Sequence, residues 1–171
     1  MTMPASSLMV AVRDCIAFVK VHGRATFSIA TPFKELVHDL TQHQFKRFVV
    51  DLTDCPIMDS TFLGVIAGIT VEMDSHRING APPPITLLNA NAKVTDLLDN
   101  MGVLGMFCVL NGQSANIADY KAREMGQAGK TETTRTCLEA HRALCEINPA
   151  NLPKFKDVIT FFEEDLKRQG G

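Results

Sequence analysis

The sequence has no strong excess of either charge sign. Seventeen Lys and Arg residues stand against nineteen Asp and Glu, which gives a formal net charge of -2 at pH 7. Proteins that bind nucleic acid usually concentrate Lys and Arg on one face, and this chain has no basic run of that kind. We therefore expect no nucleic-acid partner.

Long apolar runs and paired cysteines are also missing. No run reaches the roughly 18 apolar residues of a membrane-spanning helix, and the N-terminal segment lacks the basic start and apolar core of a signal peptide. We therefore expect no signal peptide and no membrane insertion. The cysteines are odd in number and form no C-x-x-C pair, which favours reduced thiols in a cytoplasmic protein over a disulfide framework: Cys15, Cys55, Cys108, Cys137 and Cys145.

The common catalytic signatures do not occur either. The chain has no G-x-S-x-G elbow and no glycine-rich phosphate loop followed by Lys and Ser or Thr. Ser60 has no general base that the sequence identifies. We therefore expect a protein that is not an enzyme and that needs no cofactor.

What the chain does have is enough apolar content for a core and an alternating pattern of elements. Of its 171 residues, 46% are hydrophobic, which suits one domain with an extension. Alternating short apolar runs and helical spacings predict an α/β fold with a mixed, largely parallel sheet layered with helices. The predicted strands are Leu8–Val12, Cys15–Val21, Phe48–Leu52, Ile85–Leu88 and Met106–Leu110, the first at an edge. The predicted helices are Ser28–His43, Ser60–Arg77 and Ala92–Met101.

The chain is organised around the stretch from Phe48 to Met73. A buried strand ends before Pro56, and the capping residues Asp59, Ser60 and Thr61 introduce a helix. A hydroxyl at this junction lies beside free backbone N–H groups and the positive end of the helix dipole. Along the helix, small residues form a stripe that predicts close packing against the sheet: Gly64, Ala67, Gly68 and Val71.

These residues resemble the signature of the STAS domain. The match runs over Asp51-Leu52 and Ile57-Met58-Asp59-Ser60-Thr61-Phe62-Leu63-Gly64-Val65. The family motif is an apolar-Asp strand end, a Met-Asp-Ser-Ser-Gly-Leu-Gly turn and then a helix. STAS domains form the bacterial anti-sigma factor antagonists and also occur at the ends of sulfate transporters. The order of predicted elements extends the resemblance over about residues 8 to 110.

The resemblance implies a function for the turn. In the antagonists, an anti-sigma kinase phosphorylates the first hydroxyl after the aspartate, which is Ser60 here, with Thr61 as the competing acceptor. It implies a non-enzymatic phospho-switch protein that binds an anti-sigma serine kinase through Asp59, Ser60, Thr61 and Phe62. Phosphorylation of Ser60 releases the kinase, and a serine phosphatase restores binding. The alternative is a STAS subunit of a lipid-transport ABC system or another structural interaction module.

Phe62 departs from the motif, because the family usually has glycine there. It lies off the stripe that forms the expected core face of the helix, namely Leu63, Ile66, Thr70 and Met73. We therefore predict that Phe62 is at least partly exposed and contributes to the partner surface.

Two clusters raise the question of a metal. Asp51, Asp54 and Asp59 fall near one end of the predicted sheet, but they have no His or Cys companion at ligand spacing. Asp59 is better explained as a residue that holds the turn and shapes the recognition of Ser60. Cys137, His141 and Cys145 are spaced i, i+4 and i+8, which permits a soft-metal face but is also typical of buried packing. We expect no bound metal.

The C-terminal third changes character. We divide the chain into a STAS-like domain (1–112), a linker rich in Gly and polar residues (113–130) and a helical extension (131–171). Helical spacing over Thr131–Ile147 and Lys154–Arg168 predicts a hairpin. The stripe Phe155, Val158 and Phe162 predicts burial against the domain or, in a homodimer, against a second copy, because exposure would forgo roughly 1.5–3 kcal/mol per side chain.

Overall fold

The structure, a computed structural model, describes residues 5–170, so the first residues of the N-terminal segment lie outside it. These residues form six strands and five helices, joined in two places by short 3-10 turns at 104–106 and 149–151. The strands are β1 (Ser7–Arg13), β2 (Ile16–His22), β3 (Arg47–Asp51), β4 (Ile85–Leu88), β5 (Cys108–Leu110) and β6 (Lys121–Arg123). The helices are α1 (Phe27–Gln42), α2 (Ser60–Asp74), α3 (Ala92–Asn100), α4 (Lys130–Ile147) and α5 (Leu152–Arg168).

The strands form one mixed sheet in the order β5-β4-β3-β2-β1-β6. The strands from β2 to β5 pair in parallel, and β1 pairs antiparallel with both of its neighbours. Asp14 and Cys15 both have positive φ, 51° and 65°, as a two-residue hairpin turn requires. The predicted α/β fold with a largely parallel sheet is confirmed.

The edge of this sheet differs from the prediction. β1 is not an edge strand, because Leu8 to Val10 pair with β6, which lies in the segment interpreted as a linker. All three residues of β6 are exposed, so no apolar alternation marks the strand in the sequence. Its Lys121 and Arg123 are charged, as is common where an edge must resist pairing with another chain.

The core lies mainly between the sheet and the helices α1 and α2. On β2, Ala17, Val19 and Val21 are fully buried, while Ile16 and Phe18 are only partly buried. Both faces of β2 are therefore covered, one more completely than the other.

α4 packs against α1 and α2. A Cβ atom at Gly64 would lie 2.4 Å from the carbonyl oxygen of Ala140, whereas one at Gly68 would lie 3.6 Å from the Cβ atom of Ala143. The small-residue stripe thus produces the predicted close packing, but its glycines face α4 and not the sheet. Glycine at 64 lets the two helix backbones approach closely.

The C-terminal hairpin, meaning α4 and α5, forms as predicted, and two asparagines fasten its turn. The side-chain nitrogens of Asn148 and Asn151 donate to the carbonyl of Met101, at 3.3 and 3.0 Å. The predicted stripe is only partly covered: Phe155 is 9% exposed and Phe162 is half-buried, while Val158 is 39% exposed. None of the helices in residues 5–170 is both long and apolar enough to cross a membrane.

Candidate functional site at the start of α2

One carboxylate, that of Asp59, holds the starts of two helices. Its Oδ1 accepts a hydrogen bond from the backbone N–H of Phe62, in the first turn of α2, at 2.8 Å. Its Oδ2 accepts from the N–H of Phe27, the first residue of α1, also at 2.8 Å. Asp59 is therefore the N-cap of α2 and satisfies donors that would otherwise be free. Because Asp59 caps the helix, the hydroxyl of Ser60 is left for another partner.

That partner is His141 on α4. The Oγ of Ser60 lies 2.9 Å from the Nε2 of His141, and the Nδ1 of His141 lies 2.7 Å from the carbonyl oxygen of Cys137. A carbonyl can only accept, so Nδ1 carries a proton. Burial lowers the pKa of His141, which favours the neutral ring and leaves Nε2 as an acceptor. Ser60 therefore donates its hydroxyl proton to His141.

Aromatic rings from α5 enclose the imidazole. The ring centroid of His141 lies 4.8 Å from that of Phe155 and 5.8 Å from that of Phe162, and the residue is 4% exposed. Both helices of the C-terminal hairpin thus contribute to the surroundings of Ser60.

The two candidate acceptor hydroxyls are not equally accessible. Ser60 is half-buried, whereas Thr61 is 6% exposed and its Oγ1 lies 3.8 Å from the Sγ of Cys137. Of the two, Ser60 is the better placed to meet another molecule.

The prediction that Phe62 is partly exposed is wrong. Its side chain is 0% exposed, and its ring centroid lies 4.9 Å from that of Phe33 on α1. At the third position of α2, where Asp59 caps its N–H, the side chain turns inward between the helices and fills space that a glycine would leave empty. Phe62 is a core residue here and offers no exposed surface to a partner.

The three aspartates serve separate purposes. Asp51 is buried, and its Oδ1 accepts from the backbone N–H of Thr53 at 2.9 Å. Asp54 pairs with Lys20 at 3.0 Å, and the hydrogen bond from Lys20 lowers the pKa of Asp54. Asp59 holds the turn, as described above. Within residues 5–170, no group of His, Cys, Asp and Glu side chains comes together in a way that could hold a metal ion.

No feature of the sequence indicated that a base lies beside Ser60. His141 lies 81 residues away along the chain and entered the sequence argument only as a member of the helical face with Cys137 and Cys145. The pair does not complete a hydrolase site, because a backbone carbonyl, and not a carboxylate, orients the imidazole. Three surface clefts formed by α1, α2 and α4 include neither Ser60 nor His141 in their walls.

Comparison with solved structures gives the same fold in bacterial regulators. A candidate anti-sigma factor antagonist from Thermotoga maritima superposes with a TM-score of 0.53 at 20% identity, over 62% of this chain and 86% of that one. An anti-sigma factor antagonist from Mycobacterium paratuberculosis gives a TM-score of 0.52 at 14% identity, over 64% and 90%. The phosphorylated form of the Bacillus cell fate determinant SpoIIAA gives 0.51 at 14% identity, over 64% and 93%.

Comparison with curated protein sequences gave no match. The family model of the STAS domain, by contrast, matches residues 7–118. This range holds the whole sheet up to β5, the helices α1 to α3 and the turn with Asp59 and Ser60, and it ends before β6 and the C-terminal hairpin. The chain therefore belongs to the STAS domain family.

Proposed function

We propose that this protein is an anti-sigma factor antagonist whose partner binding is switched by phosphorylation of Ser60. In the unphosphorylated form it binds an anti-sigma serine kinase in the cytoplasm through the start of α2. Phosphorylation of Ser60 releases the kinase, and a serine phosphatase restores the binding form. Asp59 and Ser60 shape the contact surface, while the buried Thr61 is the less accessible acceptor.

The observation that carries this proposal is that the Ser60 hydroxyl lies at a helix N-terminus but does not cap the helix. Asp59 provides the cap, so modification of Ser60 does not remove the interaction that starts α2. A phosphate adds about -1.5 to -2 charges and three acceptor oxygens. At the start of a helix these oxygens meet free N–H donors and the positive end of the dipole, so the fold can persist in both states.

The same charge opposes partner binding. A partner packed over Ser60 would have to desolvate the phosphate close to the carboxylate of Asp59, and burying an uncompensated charge is costly. If the cost is about 3 kcal/mol, the affinity falls by more than a hundredfold, at about 1.4 kcal/mol per decade. The switch then acts on binding and leaves the domain folded.

The test combines phosphate mapping with partner capture. The wild-type protein is incubated with a lysate of its source cells, ATP and Mg²⁺, and phosphopeptides are mapped by mass spectrometry. We expect phosphate at Ser60, none in the Ser60→Ala variant, and an undiminished yield at Ser60 in the Thr61→Val variant. The captured kinase should bind wild type and Ser60→Asn more tightly than Ser60→Asp.

Other results would reject the proposal. If neither Ser60 nor Thr61 gains phosphate and Ser60→Asp binds every captured protein as tightly as wild type, the antagonist function is wrong. Capture of a permease together with an ATPase, equally by both variants, would instead support the STAS subunit of a lipid-transport system.

A further inference from the structure

The C-terminal hairpin lies on the part of the molecule that the proposed switch needs. His141 contacts the Ser60 hydroxyl, Cys137 contacts Thr61, and Ala140 lies against Gly64. These three residues of α4 contact the first two turns of α2. A partner that packs on the same face of α2 must therefore displace α4.

We propose that the C-terminal hairpin is an intramolecular competitor of the partner: it covers the start of α2 while Ser60 carries a free hydroxyl, and a negative charge on Ser60 releases it. This inference rests on the proposed function for its biological meaning. Its physical content, a coupling between charge at position 60 and docking of α4, can be measured without any partner.

The contact between Ser60 and His141 is specific for the free hydroxyl. Ser60 donates its only proton to Nε2, and a phosphate ester has no such proton on Oγ. Three further oxygens would also have to enter a gap in which the heavy atoms are already 2.9 Å apart. A phosphate therefore removes the hydrogen bond and requires α4 to move.

The groups around Ser60 provide an electrostatic reason for α4 to separate when Ser60 becomes charged. The lone pair of Nε2 faces Ser60, because Nδ1 holds the ring proton against the carbonyl of Cys137. Asp59, the N-cap of α2, directly precedes Ser60, and Phe155 and Phe162 cover the ring from α5. A new negative charge at position 60 meets a lone pair, a carboxylate and apolar rings. None of these side chains is a cation, so in the docked arrangement only the start of α2 itself favours the charge.

The composition of the docking surface, meaning the face of α4 against α1 and α2, also favours separation. The buried face of α4 consists mostly of small or polar residues, namely Thr134, Thr136, Cys137, Ala140 and His141, with two larger apolar side chains, Leu138 and Leu144; of these two, Leu144 is fully buried. The Oγ1 of Thr136 accepts a hydrogen bond of 2.8 Å from Thr31 on α1. Such groups lose less than large apolar side chains when they return to water, because water replaces their hydrogen bonds.

Native cysteines report whether the hairpin opens. Cys137 is 6% exposed at the contact between α2 and α4, and Cys55 is 2% exposed in the STAS core. Alkylation of the full-length protein with N-ethylmaleimide, read peptide by peptide by mass spectrometry, gives a rate for each thiol. Release of the hairpin should raise the rate at Cys137 and leave that at Cys55 unchanged.

Two glycines of α2 provide a matched pair for the first arm. In Gly64→Ala the new Cβ would lie 2.4 Å from a backbone oxygen of Ala140, whereas in Gly68→Ala it would be in ordinary contact with a side chain at 3.6 Å. Both variants gain the same helix propensity. We expect Gly64→Ala to raise the alkylation rate of Cys137 roughly tenfold or more, about 1.4 kcal/mol of docking free energy, and Gly68→Ala to leave it near wild type. Equal rates in all three proteins would overturn the proposal, because the hairpin would then not be separable.

The second arm tests the coupling itself. Ser60→Asp introduces the charge, and Ser60→Asn introduces the same bulk without it. We expect Ser60→Asp to accelerate alkylation of Cys137 well beyond Ser60→Asn, with Cys55 slow in both. Equal acceleration would assign the effect to size alone and overturn the coupling to charge, as would no acceleration in either.

A third arm links the cover to the proposed function and separates their failures. In a variant with an open hairpin His141 no longer covers the Ser60 hydroxyl, so in the lysate Ser60 of Gly64→Ala should gain phosphate faster than wild type. Equal phosphorylation rates in the two proteins would overturn the proposal that the hairpin covers Ser60. If neither is phosphorylated while Ser60→Asp still exposes Cys137, the proposed function fails and the charge-controlled cover stands.

Discussion

The two sides of α2 are packed by different kinds of residue. On the side of the STAS core, Phe62 and Ile66 are fully buried, and Phe62 lies against Phe33. On the side of the C-terminal hairpin, the contacts are made by Ser60, Gly64 and their partners on α4. The first side relies on large apolar groups, whereas the second relies mostly on small groups and hydrogen bonds, to which α4 adds one fully buried large side chain, that of Leu144. One helix therefore joins a permanent core to a surface that can separate.

The energetic consequence follows from general magnitudes. Burial of a large apolar side chain contributes about 1.5–3 kcal/mol, whereas a hydrogen bond contributes about 0.5–1.5 kcal/mol net. The ion pairs that link the hairpin to α1 and within itself, such as Lys34 with Glu139 and Arg142 with Glu163, are largely exposed, and pairs of this kind contribute little. We expect the hairpin to open at a lower free energy than the core.

The largest effect should come from removing matched aromatic side chains on the two sides. Phe62→Ala should lower the free energy of global unfolding by about 3–5 kcal/mol, because it leaves a cavity in the core. Phe155→Ala, in the hairpin, should lower global stability less and mainly raise hydrogen exchange in α4 and α5. Denaturant unfolding followed with hydrogen exchange measures both. Equal global losses would show that core and hairpin unfold as one unit.

A smaller effect is expected at the cap that serves two helices. Asp59→Ala removes the acceptors for Phe27 and Phe62 and should cost about 2 kcal/mol, at about 1 kcal/mol per cap. Asp59→Asn retains one acceptor oxygen and should recover about half of the loss. Thermal or denaturant unfolding of both variants measures this. If Asp59→Asn is no more stable than Asp59→Ala, capping is not the reason for the loss.

The pH dependence should distinguish the hairpin from the core. Burial lowers the pKa of His141 below its ordinary value of 6.5, so the unfolded chain binds the proton more readily. The stability from the neutral ring is therefore fully present above pH 6.5 and is lost as the pH falls toward the folded-state pKa. The other four histidines are exposed. Alkylation of Cys137, corrected for the thiolate fraction with a model thiol, should accelerate on acidification in wild type. In His141→Gln the alkylation rate of Cys137 should depend less on pH. The same pH profile in both proteins would show that His141 is not the group responsible.

The smallest effect is expected from Ser60→Ala. It removes one half-buried hydrogen bond, leaves the Nε2 of His141 without its donor and keeps the cap at Asp59 in place, so the loss should be about 1 kcal/mol, at the low end for a buried acceptor that loses its partner. The far-ultraviolet circular dichroism should be unchanged, and the loss should fall on hairpin opening as seen by hydrogen exchange. A loss of several kcal/mol in global unfolding would mean that Ser60 supports the core.

Much of the STAS part could be predicted from the sequence because its signals are local. The apolar runs of β1 to β4 and the spacings of α1 and α3 each lie within a short window, and the turn at Asp59-Ser60-Thr61 carries its own motif. β6 was not predicted because its three exposed residues show no alternation of apolar and polar side chains. Phe62 was predicted to be exposed because helical spacing defines a buried face only approximately. Contact with Phe33 of α1 extends the buried face of α2 to include Phe62.

The sequence by itself determined the order of β1 to β5 and of the five helices, the family and the position of a hydroxyl at the start of α2. Only the tertiary structure decided that Asp59 caps two helices, that Phe62 is buried and that His141 holds the hydroxyl of Ser60 across 81 residues. The physical reason is the range of the forces: local dihedral preferences and hydrophobic periodicity act within one element. The partner of a side chain on a distant element is set by how closely two backbones can approach, which here depends on the glycine at position 64.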